Sequence, residues 1–349
     1  YSGPVGARTV LRERRVDAAV LETARGGILR RGLAMSRAHA AVVTNVSADH
    51  LGEYGIDDLG ALADVKLTVA SVVGATGLLV LNADDAMLRA KAGGLGLRYG
   101  RRPSIGWFSQ DAEHNLLRSH RAAGGTTCGV CDGHLLLVRA GEEGDLGPIA
   151  RMPLTVDGLA SYNVANLAGA ALAAVALGVE PAAVAATFAS FGADAGDNAG
   201  RLMRFDFDGA RVLLDYAHNP DGLRGLLRVA AGLRGGAGRL GLLLGHAGNR
   251  EDADFERLAA AAAEFNPDLV VVKEIEGYLR GRAPGEVPRL IRSSLLRHGL
   301  PESALPLCSS EVDAARCALD WARAGDVVVL LVHSLAARAA VVEMLQAGA

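Results

Sequence analysis

Three short polar clusters each follow an apolar run, and each carries residue types that can handle phosphate or a metal ion. Glu22 follows "DAAVL" and opens "ETARGGILRR". "NVSADH" (residues 45–50) follows "AAVVT", and "DYAHNPDG" (215–222) follows "RVLL". Parallel sheets bind ligands beyond the carboxyl ends of their strands, which makes Glu22, Asn45, Asp49, His50, Asp215, His218 and Asn219 the candidate polar groups. A glutamate and a histidine converging from neighbouring strand ends suit a divalent cation, since Mg²⁺ takes few protein ligands and fills its shell with phosphate and water. Gly26 and Gly27, beside Arg25 and Arg30, also advertise a phosphate turn, but no Lys-Ser/Thr follows them. They are read instead as a tight turn at the rim of a cleft. "GHAGNRED" (245–252) is a glycine turn after a strand and lacks G-x-G-x-x-G.

The elements that must position these groups alternate in type. "DAAVLE" and "AAVVTNV" read as strands, "IDDLGALADVKLTVASVV" as helix, "GLLVLNADD" as a strand and its turn, and "AMLRAKAGG" as helix. That alternation predicts a parallel sheet flanked by helices. From about 105 to 157 the pattern changes to short strands with Gly/Asp turns ("SIGWFS", "TTCGVC", "HLLLVR", "IARMPLTV"), an expected small antiparallel insertion. "SYNVANLAGAALAAVALG" restores a helix of small residues able to lie close to its neighbours. "FGADAGDNAGR" (191–201) reads as a linker, after which strands "ARVLLDYA", "GRLGLLLGHA", "DLVVVKE" and "DVVVLLV" alternate with helices. The expected organisation is α/β throughout, with one domain over 1–195 and a second, Rossmann-like doubly wound domain over 196–349.

Bulk properties exclude several classes. The chain has 349 residues, half of them hydrophobic and 21% charged, with a net charge of −3. This is a folded chain without the basic surface that nucleic acid or anionic membranes require. No apolar run is long enough to span a bilayer, and no secretory signal stands at the start, so the expected location is the cytoplasm. Cys128 and Cys131 form a C-x-x-C with no second pair at zinc spacing, and read as incidental thiols in a β-hairpin.

"LETARGGILRRGL", "TNVSADHLGEYGI", "ADVK", "LNADD", "SYNVANLAGA", the "GR" at 200–201, "DYAHNPDG" and "GHAGNRED", taken in this order, resemble the Mur ligase superfamily. Within it, "ARGGILRRGL", "DHLGEYGIDDLGALADVK" and "LRGRAPGE" (279–286) are most similar to the cyanophycin synthetase branch, and the likeness runs from Tyr1 to about His333. The resemblance implies a central ATPase domain followed by a Rossmann-like C-terminal domain. The implied activity is ATP- and Mg²⁺-dependent joining of an amino acid to a carboxylate or peptide acceptor through an acyl phosphate. It implies Glu22 and His50 as metal ligands, with a helix N-cap as the alternative for Glu22. Lys66 corresponds to a lysine carried as a carbamate in many members and as a plain lysine in others. Asn166 corresponds to an adenine contact, Arg201 to a residue reaching ATP, and Asp215 to a ribose contact; an Arg201–Asp215 ion pair is compatible with both. Asn163 is left as a helix cap. His218 and Asn219 line the implied cleft, His218 as a catalytic group. Arg25, Arg250, Asp252, Arg280 and Arg282 are candidates for recognising acidic or amino-acid substrate.

One departure stands out. The G-x-x-G-K-[ST] loop that holds β- and γ-phosphates in these ATP enzymes is not found, and the chain opens at "YSGP" without an initiator Met. The expectation is a downstream fragment of a longer ligase, lacking turnover by itself. A Mur-like module that binds or regulates without catalysis is the competing reading. The amino acid, the acceptor and any homo-oligomer are not specified by the sequence.

Overall fold

The computed structural model describes residues 3–48, 52–100, 102–194 and 196–348, and of Glu53 the backbone only. It divides into two compact units, residues 1–190 and 191–349. In the first unit α1 (Pro4–Arg12) and α2 (Arg25–Arg31) precede β1 (Ala38–Val43), α3 (Leu59–Lys66), β2 (Val73–Asn82), α4 (Ala86–Ala92), α5 (Leu95–Tyr99) and β3 (Ser104–Ser109). Then come α6 (Asn115–Ala122), β4 (Thr126–Cys131), β5 (His134–Arg139), β6 (Glu142–Pro148), α7 (Ser161–Ala176) and α8 (Pro181–Phe188). All six strands form one sheet in chain order. β1 to β4 are parallel, with Val42 opposite Val80 and Leu81 opposite Trp107, and β4, β5 and β6 are antiparallel.

Strand alternation splits the core of this unit over two faces. Leu79, Leu81 and Trp107 turn toward Leu62, Leu67 and Leu88, while Val80 and Phe108 turn toward Ala168, Ala171 and Leu172 of α7. α7 reaches close to the sheet because it is built of small residues. A Cβ on Gly169 would sit 3.2 Å from the Phe108 ring. Cys128 is buried in this core, which pushes its thiol up, whereas Cys131, three residues along the same strand, lies on the opposite face. The two sulfurs of the C-x-x-C therefore diverge.

Four expectations need correction. "DAAVLE" is not a strand: residues 16–24 are irregular, Val20 is 95% exposed, and the strand at that edge of the sheet is β1. Gly26 and Gly27 lie inside α2 rather than in a tight turn, and Gly27 admits Pro4 of α1 at 2.9 Å from where a Cβ would be. The antiparallel part begins only at β4, because "SIGWFS" is β3, a parallel strand. "IARMPLTV" forms two short 3₁₀ turns instead of a strand. Pro148 and Pro153 bring no N–H to a ladder, and the Thr155 hydroxyl closes the turns on the Ile149 and Met152 carbonyls at 2.6 and 2.9 Å.

The second unit contains β7 (Met203–Phe207), β8 (Ala210–Asp215), α9 (Pro220–Leu233), β9 (Leu240–Leu244), α10 (Asp252–Ala263), β10 (Leu269–Lys273), α11 (Glu286–Arg297), β11 (Leu307–Cys308), α12 (Glu311–Trp321), β12 (Val327–Leu331) and α13 (Leu335–Ala347). The sheet order is β11-β10-β9-β12-β8-β7, parallel except for the β7–β8 pair. "LGLLL", "LVVVK" and "VVVLL" are buried along their whole length, as strands covered on both faces must be. The chain winds outward from β9 to β11 and returns to place β12 between β9 and β8, so the winding direction switches between β9 and β12. Open α/β sheets have their ligand crevice at such a point. No helix among the described residues is long and apolar enough to cross a membrane.

A single glycine lets α12 lie against this sheet. A Cβ on Gly241 of β9 would come 2.9 Å from the Trp321 ring. Replacing Gly with Ala relieves backbone entropy by at most about 1 kcal/mol, whereas overfilling a core costs about 1–3 kcal/mol. Gly241→Ala is expected to lower the urea midpoint with an unchanged m-value, the clash outweighing the entropy.

Candidate functional site

In the first unit the groups beyond β1, β2 and β3 are tied together by one turn, "NADD" (residues 82–85). Asn82 Nδ2 donates to the Thr44 carbonyl at 2.9 Å, and Asp85 accepts from the Val46 N–H at 2.6 Å while capping α4 through the Leu88 N–H at 2.9 Å. Asp84 accepts from the Ser109 hydroxyl at 2.6 Å and the Gln110 N–H at 2.9 Å. The loop after β1 is thus held to β2, and the end of β3 to the same turn. The sequence motif was visible, but its role as a clamp was not.

Lys66, the last residue of α3, donates from Nζ to the Asn45 carbonyl at 2.8 Å and adds a further tie to that loop. Asp49 and His50 lie outside the described residues. Glu22 is exposed and carries no hydrogen bond among the described residues; it is not a helix cap, since the N-cap of α2 is Ala24. Arg25 and Arg30 both lie over the Tyr54 ring, at 5.8 and 5.9 Å from its centroid. No group of three His, Cys, Asp or Glu side chains suited to a metal ion occurs among the described residues. Asn163 is buried and donates to the Leu154 carbonyl at 2.8 Å, fastening α7 to the preceding turn instead of capping it. Its Oδ1 accepts from Asn166 Nδ2 at 3.3 Å, which orients the exposed Asn166 amide.

In the second unit Asp215 ends β8 almost fully buried. Its carboxylate accepts from the Leu202 and Ala217 N–H groups, each at 2.7 Å. Burial pushes this carboxyl up, opposed by those two N–H groups and by the charge of Arg201. The "GR" motif is thereby brought to the "DYAHNP" motif. Arg201 itself is exposed and lies over Tyr216, 5.1 Å from the ring centroid. His218 takes its Nδ1 to the Tyr216 carbonyl at 3.2 Å, and Asn219 caps α9 through the Gly222 N–H at 2.8 Å.

Sequence reasoning missed the buried groups that hold these loops. Lys273, at the end of β10 and fully buried, donates from Nζ to Glu311 at the start of α12 and to His333 Nδ1 at 3.1 Å. The donation to Nδ1 fixes the remaining ring proton on Nε2, which faces the Ala217 carbonyl at 3.3 Å. Glu311 also accepts from the His333 and Ser334 N–H groups at 2.9 and 2.7 Å. Burial pushes the Lys273 ammonium and the His333 imidazole down. Burial works against the Glu311 carboxylate, yet bonds from His333 and Lys273 keep it low. His246, just beyond β9, is buried with no partner for Nδ1. Burial first, then the charges of Arg250, His218 and His333, push it down to about 4. His246 and His333 stand beyond the two strands that flank the switch point, so the strand-end rule applied to "LLLGHA" and "LLVHS" would have found both.

"GHAGNRED" owes its glycines to close approach. A Cβ on Gly245 would sit 2.6 Å from the Lys273 carbonyl, and one on Gly248 would collide with the Leu279 carbonyl. Arg282 holds this loop: its guanidinium donates to the Gly248 and Arg250 carbonyls at 3.3 and 3.1 Å, to Asp252 at 2.6 Å and to Glu286 at 2.8 Å. Asp252 and Arg282, both assigned to substrate from sequence, are thus engaged with each other. Arg280 is exposed, in the left-handed region at φ +51°, with its guanidinium over Tyr278.

The family description "Mur ligase middle domain" matches residues 7–174, and "Mur ligase, glutamate ligase domain" matches residues 200–331. The cyanophycin synthetase of Nostoc sp. (strain PCC 7120) is 35% identical over 334 residues, covering 96% of this chain and 36% of that protein. The UDP-N-acetylmuramoyl-L-alanyl-D-glutamate–2,6-diaminopimelate ligase of Gloeobacter violaceus is 31% identical over 317 residues, covering 89% of this chain and 57% of that one. The chain therefore spans between about a third and three fifths of the curated relatives it matches. Among solved structures, E. coli FolC in complex with DHPP and ADP gives a TM-score of 0.60 at 18% identity, covering 89% of this chain and 62% of that one. Mycobacterium tuberculosis folylpolyglutamate synthase complexed with ADP gives 0.60 at 19% identity, covering 90% and 64%. At these identities the structures establish the shared fold.

His246 makes the fold acid-sensitive. The unfolded imidazole protonates below about pH 6.5, whereas the folded one stays neutral down to about 4. Unfolded chains then bind the extra proton, and stability falls as pH drops through this window, by at most about 1.4 kcal/mol per unit. Urea melts at pH 7, 6 and 5 are expected to show this decline, with His333 adding to it. His246→Gln should flatten the slope by about 1 kcal/mol per unit. Separately, Asp85→Ala removes a helix cap and the tie to Val46 and is expected to cost about 2 kcal/mol in the same melts.

Proposed function

The chain belongs to the Mur ligase superfamily, and from that premise we propose that it supplies most of the working parts of an ATP-dependent acid–amino-acid ligase of the cyanophycin synthetase kind. The observation that carries the proposal is the joining of "GR" and "DYAHNP" at the end of β8, where the Asp215 carboxylate is buried, oriented by two backbone N–H groups and faced by the Arg201 charge. A fixed carboxylate that keeps lone pairs beyond those two bonds suits a ribose diol, and a guanidinium beside it suits phosphate oxygens. The Asn166 amide, oriented by Asn163, both donates and accepts as an adenine edge requires. When bound, ATP supplies the phosphoryl group that converts the acceptor carboxylate into a reactive acyl phosphate.

This chain's own residues have the remaining roles. Glu22, exposed and without another hydrogen bond among the described residues, is an oxygen donor of the kind Mg²⁺ takes, with His50 assigned beside it from sequence. Lys66 holds the loop that follows β1, and a carbamate there would retain one N–H for the Asn45 carbonyl. In this reading His218 takes a proton from the attacking amine, and Arg25, Asn219, Arg250 and Arg280 contact the acidic and amino-acid substrates. Arg282 and Asp252 act one step removed, by fixing the 248–252 loop. The substrates favoured are an amino acid such as arginine and an aspartyl or other peptide carboxylate.

The test is amino-acid-dependent phosphate release by the complete translation product containing this sequence, screened over all amino acids with aspartyl peptides as acceptors. Release that requires arginine and an aspartyl peptide is the expected result, and Asp215→Asn should reduce it at least about tenfold, mainly through the KM for ATP. Silence with every amino acid and acceptor would overturn the ligase reading in favour of a binding module.

A further inference from the structure

Arg338, on the first turn of α13, is a cation without a counterion. Its Nε is buried and has no hydrogen-bond partner, and no carboxylate lies within 4 Å of its guanidinium among the described residues. It lies over the Tyr216 ring at 5.6 Å from the centroid, and Arg201 lies over the same ring at 5.1 Å. Arg201 likewise has no acid within ion-pair distance among the described residues. Asp215 feels the Arg201 charge but already accepts two backbone N–H groups. The backbone has been cleared for this arrangement. Gly200 adopts φ +78°, and a Cβ there would collide with the Arg338 guanidinium.

Two guanidiniums gathered on one tyrosine repel each other, and a buried donor left unpaired is costly. Both costs disappear if a multiply charged oxyanion sits between them, since each guanidinium presents a planar fork of donors. We propose that Arg338 and Arg201 form a two-guanidinium oxyanion clamp on Tyr216, and that Arg338 is a binding residue for the phosphate chain of the nucleotide. The proposal rests on the nucleotide reading of Asp215 in naming the source of the anion. A substrate carboxylate presents the same chemistry and is separated from phosphate by the test.

The experiment is calorimetric titration of the full chain with inorganic tripolyphosphate, ADP, adenosine and N-acetylaspartate. Wild-type chain should bind tripolyphosphate and ADP. Arg338→Gln should weaken both about tenfold or more and leave adenosine unchanged. Arg338→Lys, which keeps the charge and loses the fork, should recover part of the loss, and unfolding midpoints establish that each variant is folded. Dependence of N-acetylaspartate rather than tripolyphosphate on Arg338 would assign the clamp to a carboxylate and overturn its phosphate role. Binding of ADP that depends on Asp215 but not on Arg338 would overturn the clamp and leave the nucleotide reading standing. Binding of tripolyphosphate through Arg338, with no preference for ADP and no effect of Asp215→Asn, would keep the clamp and sink the nucleotide reading. Absence of binding by any of the anions would overturn the proposal outright.

Discussion

The second unit depends on a buried ion pair. Lys273 and Glu311 come from the end of β10 and the start of α12, both out of water, and each takes further hydrogen bonds from the segment after β12. Such a pair contributes little net stability compared with apolar residues of the same size, because desolvation offsets the attraction. Its value is positional. Removing either partner strands a charge, so the two chain ends can only meet in this register. His333 passes the constraint on to Ala217, whose N–H is held by Asp215. The orientation of the Asp215 carboxylate is therefore set by groups that never touch a ligand.

The first unit solves the same problem without an ion pair. Parallel strands leave their carboxyl-end loops independent, since each strand runs on into its own helix. Asn82, Asp84 and Asp85 bind the loops of β1 and β3 to the turn after β2 using short polar side chains and backbone groups. These bonds are partly exposed and individually worth about 1 kcal/mol. The network in the second unit is buried and cooperative, whereas this one is a set of separate ties.

Much of the architecture was legible because both units are built of apolar runs alternating with amphipathic ones, and "VVVLL" has few places to go but the middle of a sheet. The errors share a cause. "DAAVLE" has the composition of a strand but joins no ladder among the described residues, and pairing is non-local. "IARMPLTV" reads as a strand until Pro153, Pro148 before it and Thr155 are seen closing turns. β11 and α12 were passed over because the strand is two residues long and the helix mixes charge with alanine. At the site, residues next to recognisable motifs were found, and those that act from a distance in sequence were not. Lys273, Glu311, His333 and Arg338 gain meaning only from what they face, which no local spacing records.

The loop of residues 245–252 has little room to vary. Two of its positions admit no side chain at all, because neighbouring carbonyls occupy the space. Its exit is fastened by a single guanidinium that takes three acceptors in the loop and a fourth, Glu286, on α11. What is left to change is Ala247, Asn249 and the outer part of Arg250. A protein that altered its choice of partner molecule through this loop would have to do so by swapping side chains on an unchanged backbone. Insertions or deletions would dislodge Arg282 from its three acceptors in the loop at once. Diversification here is thus confined to a narrow alphabet at a few sites, with the chain path itself held constant.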